Sequence, residues 1–66
     1  MRRIRLVVRP EEAGLSPSAL AKARGGLSPS DVGRLLGAGA FFVNRQLLKS
    51  DGPPLKIRDE LVVYLE

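Results

Sequence analysis

Long cationic side chains dominate the reactive groups of this sequence, and their chemistry is the binding of phosphate and other anions. The 66 residues hold eleven Lys and Arg against seven Asp and Glu, a formal charge of +4, with no His and no Cys. The missing types exclude whole classes of mechanism. A nucleophile paired with imidazole needs His, and disulfides, thiolate catalysis and thiolate metal sites need Cys. Only carboxylates remain as metal ligands, and Asp51, Asp59 and Glu60 stand in loop contexts that account for them without chemistry. No catalytic residue, metal or cofactor is therefore expected. The excess of positive charge favours an acidic partner, nucleic acid first, with ordinary surface charge as the alternative.

The cations fall into groups. Arg45 sits in a turn and Lys49 at the end of the segment that follows, and neighbouring cations at a loop tip clamp phosphate and release counterions. Arg34 lies one position off the apolar face of a helix. Lys22 and Arg24 close an earlier helix, where the dipole already favours positive charge and capping competes with anion contact. Lys56, with Arg58, follows a proline loop and can extend a basic surface. Arg3, Arg5 and Arg9 share one strand face, where shielding of a sheet edge competes with nucleic-acid contact.

The elements that must position these groups are legible in order. From Arg2 to Arg9 apolar Ile4, Leu6 and Val8 alternate with the arginines, the period of a half-buried strand, which Pro10 ends before a polar link from Glu11 to Gly14. Leu-Ser-Pro-Ser then occurs twice, at 15–18 and 27–30. Each copy supplies a capping serine, Ser16 or Ser28, a proline at the first helical position and a leucine placed to act as a hydrophobic staple. The first helix runs to about Arg24 with Ala19, Leu20 and Ala23 inward, stopped by Gly25-Gly26. The second spans about ten residues, with Asp31 in its first turn, Val32, Leu35 and Leu36 inward, and Gly37 or Gly39 as the exit.

Phe41 to Val43 is a strand, Asn44-Arg45 a turn, Gln46 to Lys49 a returning strand, Ser50 to Pro54 a loop, and Leu61 to Leu65 a central strand. Adjacent strand residues face opposite ways, so one of Phe41 and Phe42 is core; the other is expected beneath the amino-terminal segment, with exposure as a stacking platform the alternative. Tyr64 packs with its hydroxyl at the rim, and Asn44 holds its turn. The order β-α-α-β-β-β predicts a single α+β domain over 1–66: two short helices on one face of a small, mainly antiparallel sheet, its first strand paired with its last. No apolar run approaches the roughly 20 residues that span a bilayer, and the basic amino terminus lacks the apolar stretch of a signal peptide, so the expected location is the cytoplasm, with no membrane partner.

The run Leu-Ser-x-Ser-x-Val-x-x-Leu-Leu-x-x-Gly-x-x-x-Val-Asn, carried by Leu27, Ser28, Ser30, Val32, Leu35, Leu36, Gly39, Val43 and Asn44, is followed by Leu55, Lys56, Asp59, Leu61 and Val63. This pattern resembles the ribosomal-protein-S-four-type RNA-binding domain, and most of all its version at the amino terminus of large-subunit-type pseudouridine synthases. Glu11 to Leu15 resembles the run before the first helix of those synthases. The resemblance implies an S-four-like fold, a second helix lying against RNA, and structured RNA, ribosomal RNA first, as partner. Set beside the cations read from the residues, it gives an expected RNA-binding patch of Arg34, Arg45 and Lys49, joined by Lys22, Arg24 and Lys56. The chain departs from the pattern at Pro29 and Asp31, where the family places basic or polar residues, at Ser16-Pro17-Ser18, which replace an Arg-Leu-Asp, and at Arg45 and Arg58, where it places glycine. Two family phosphate contacts are thereby lost, which keeps open a protein-interaction domain of the same fold without RNA binding. A further alternative is the accessory domain of a pseudouridine synthase, whose chemistry would need a separate, longer catalytic domain.

Overall fold

The computed structural model describes residues 2–49 and 52–65. Its strands are β1 (Arg3–Val7), β2 (Phe41–Val43), β3 (Gln46–Leu48) and β4 (Glu60–Tyr64), and its helices α1 (Pro17–Ala23) and α2 (Pro29–Gly37). The four strands form one sheet in the order β1-β4-β2-β3, with every neighbouring pair antiparallel. The chain is an α+β domain of the expected element order, and its first strand does pair with its last, Arg3 opposite Tyr64 through Val7 opposite Glu60. Ser50 and Asp51 of the expected loop lie outside the described residues.

Both helices start where the serines place them. Ser16 accepts the Ala19 amide at 3.2 Å and Ser28 the Asp31 amide at 3.1 Å, each ahead of a proline that has no amide to satisfy. Gly39, at φ +74, ends α2: its amide reaches the Leu36 carbonyl and the next amide, of Ala40, reaches that of Leu35. Those two bonds are the Schellman arrangement, and they identify Gly39 as the exit glycine. The core then closes between helices and sheet. Leu20, Ala21, Val32 and Leu35 pack with Leu6, Phe41, Leu61, Val63 and the loop residue Leu55, while Leu15 and Leu27 pad its margin.

Two expectations need correction. In α1 the inward residues are Pro17, Leu20 and Ala21, and Ala23 is exposed; burial of Pro17 sets the stripe at 17, 20 and 21, rotated roughly 100° round the helix from the one read off the alanines. The link after Pro10 is a 3₁₀ turn, Pro10–Glu12, whose Glu12 is buried. Strand ends also differ slightly: β1 stops at Val7, although Val8 exchanges backbone bonds with Asp59 and Arg58 beyond it. Among the described residues, no helix is long and apolar enough to cross a membrane.

Candidate nucleic-acid interface

The turn after β2 has Asn44 at φ +50 and Arg45 at φ +69, the two positive values of a type I′ hairpin. A second turn, Lys56 to Asp59, is closed by the Asp59 amide on the Lys56 carbonyl and carries Arg58 at φ +74. A positive φ at the third residue is the type II signature and favours glycine. Both arginines that replace the glycines of the resemblance therefore occupy left-handed backbone, at a cost of about 1–2 kcal/mol each.

The two turns are bolted together. Asn44 donates its side-chain amide to Asp59 Oδ1 at 3.1 Å and accepts the Glu60 amide at 3.0 Å, while Asp59 Oδ2 accepts the Lys56 amide at 2.9 Å. The bond from Lys56 and then that from Asn44 hold the Asp59 carboxyl below its ordinary pKa, with the Lys56 charge adding to them against a smaller opposing effect of burial. The consequence is a cationic end to the sheet, where the exposed residues Arg45, Lys56 and Arg58 stand on two mutually fastened turns.

The sheet face turned away from the helices is the second part of the site. Register puts Arg5, Val62, Phe42 and Leu47 in one row across all four strands, with Arg3 and Tyr64 in a neighbouring row. Phe42 and Tyr64 meet edge to face, centroids 5.6 Å apart and planes at 87°. Around them lies a shallow concavity of about 460 Å³, floored by Val62, Phe42 and Tyr64 and rimmed by Arg3, Arg5, Arg45 and Glu60. Arg5 Nε donates to Glu60 Oε2 across this rim. On the other flank of the aromatic pair a second hollow runs to Arg34 and the Ala38–Ala40 backbone.

Of the six cations singled out in the sequence, Arg34 and Arg45 thus border the same aromatic pair from opposite ends of β2. Arg34 also lies 3.5 Å from Asp31, one turn earlier on α2. Lys56 joins Arg45 through the bolted turns. Lys22 and Lys49 are exposed and line neither hollow. Arg24 is drawn elsewhere: its Nη1 donates to Glu12 Oε1 at 2.8 Å and to the Val7 carbonyl at 3.0 Å, tying α1 to the 3₁₀ turn and β1. Burial pushes the Glu12 carboxyl up, but the Arg9 amide, the Arg24 hydrogen bond and the charges of Arg24 and Arg9 outweigh it, and the net shift is downward.

Phe42 is not covered by the amino-terminal segment; it stays half-buried on the open face, because β1 lies beside β4 instead of across β2. Arg3 and Arg5, outside the patch expected from the sequence, line the concavity. Their shared strand parity with Val7 was visible, but which face of β2 and β4 they would join depended on the register. Among the described residues, no group of three or more His, Cys, Asp or Glu could hold a metal ion. Comparison with protein-family models, with curated proteins and with solved structures finds no match to this chain.

Proposed function

We propose that this chain is an RNA-binding domain of the ribosomal-protein-S-four type, which grips the backbone of structured RNA, ribosomal RNA first, in the cytoplasm and without catalysis of its own. The observation that carries the proposal is the pair of arginines at positive φ. Glycine would relieve the backbone at 45 and 58; two long cations stand there instead, exposed on turns fastened by Asn44 and Asp59, where they can reach a phosphate backbone. The net charge of +4 and Arg34 on α2 add to the same attraction. The phosphate contacts expected are Arg45, Arg34 and Lys49, supported by Lys56, Arg58 and Lys22, with Arg24 serving structure.

A filter-binding titration against a structured ribosomal RNA fragment tests this. Three phosphate contacts give a slope of log affinity against log salt of roughly −2 to −3, and absent or salt-indifferent binding would sink the reading. A second reading, a protein-interaction domain of the same fold, draws on Asp31, which stands 3.5 Å from Arg34 and offsets its charge. Capture of a protein after nuclease treatment, with no RNA in the untreated sample, would favour it. An accessory role within a pseudouridine synthase keeps the same RNA contacts and leaves the chemistry to another domain.

A further inference from the structure

We propose that the open face of the sheet binds an unpaired nucleobase against Phe42 and Tyr64, with Arg3 and Arg45 holding the phosphates beside it. This rests on the RNA-binding reading and narrows its ligand to RNA with a loop, bulge or free end at this surface.

Three observations lead there. First, the aromatic face is open. Phe41, Leu61 and Val63 on the helix side are at most 1% exposed, whereas their strand neighbours Phe42, Val62 and Tyr64 are only half-buried on the far side. Second, the charge around it is arranged for a phosphate-bearing ligand. Three arginines and one carboxylate rim the concavity, and the carboxylate, Glu60, is held by Arg5. Third, size and shape admit a single nucleotide. The concavity of about 460 Å³ falls within the roughly 300–1,000 Å³ of small-ligand sites, and the perpendicular rings form a corner that a flat base can enter. Bases in an A-form duplex remain stacked inside the helix, so only an unpaired one can reach such a corner.

The chain contains one Tyr and no Trp, so its intrinsic emission reports on Tyr64 alone. Titration with hexauridylate should quench that emission saturably. An abasic ribose-phosphate oligomer with the same number of phosphates should not. Phe42→Leu, which keeps an apolar side chain in the row, should weaken hexauridylate roughly tenfold or more. Binding of a blunt-ended RNA duplex, followed on filters, should stay unchanged in this variant, which also shows that it folds.

If the duplex binds and hexauridylate leaves the emission unchanged, the stacking site is overturned while the RNA reading stands. If neither RNA binds, both fall. Equal quenching by the abasic oligomer would reduce the face to a backbone contact and overturn base stacking. Silent hexauridylate together with self-association that Phe42→Leu abolishes in sedimentation equilibrium would make the face a protein-docking surface instead.

Discussion

Asn44 accepts the Glu60 amide and donates to Asp59, so one side chain fastens the β2–β3 turn to the turn that precedes β4. Asn44→Ala removes both bonds and places at φ +50 a residue with no local compensation for that backbone. A loss of about 1–2 kcal/mol is expected, to be read from the urea denaturation midpoint. Asp59 and Glu12 give the chain an acid limb. Both titrate lower when folded than when unfolded, so their contribution is complete above roughly pH 5 and is lost as pH falls through the folded-state values. Denaturation midpoints measured from pH 6 down to pH 3 should therefore fall, and the fall should be shallower in Asp59→Asn. At this scale the sequence identified Asn44 as the keeper of its turn, but not its partner. Asp59 lies fifteen residues away, and nothing local joins the two.

The elements were the most legible part of the chain, because their signals act within a few residues. The two capping serines, the prolines after them and Gly39 beyond α2 each do in the structure what their types imply. The 3₁₀ turn is not legible locally, because Glu12 reads as a solvated residue and its partners, Arg24 and the Arg9 amide, are supplied by the fold. The β2–β3 hairpin carries a prediction of its own. Arg45→Gly creates Asn-Gly, the preferred type I′ pair, and relieves the positive φ. Stability should rise by about 0.5–1 kcal/mol, the larger freedom of unfolded glycine offsetting part of the gain. The proposed RNA binding should weaken in the same variant, so paired thermal melts and filter binding separate the two effects. A loss of stability would mean that the Arg45 side chain supports the fold.

Across the molecule, adjacent phenylalanines divide the work of the sheet. Phe41 is fully buried between helices and strands, and Phe42 faces outward. Phe41→Ala should cost about 3–5 kcal/mol, against a total of roughly 3–10 kcal/mol for a chain of this length. A thermal melt followed by circular dichroism should show its cooperative transition weakened or lost. Phe42→Leu should keep the transition near that of the unsubstituted chain. The difference measures how far the two faces of one short strand have diverged.

What the sequence by itself determined is the kind and order of the strands and α-helices and the capped starts of α1 and α2. Periods of two, capping side chains, proline and glycine act on neighbouring backbone and need nothing from a distance. Only the tertiary structure decided that β2 lies between β4 and β3, which gathers Arg3, Arg5, Phe42 and Tyr64 on one surface. It likewise bound Arg24 to Glu12 and brought Arg45 and Arg58 onto turns joined by Asn44 and Asp59. The physical reason is that strand register and salt-bridge partners are contacts between residues far apart in the chain, chosen by how the whole core closes around Phe41, Leu61 and Val63.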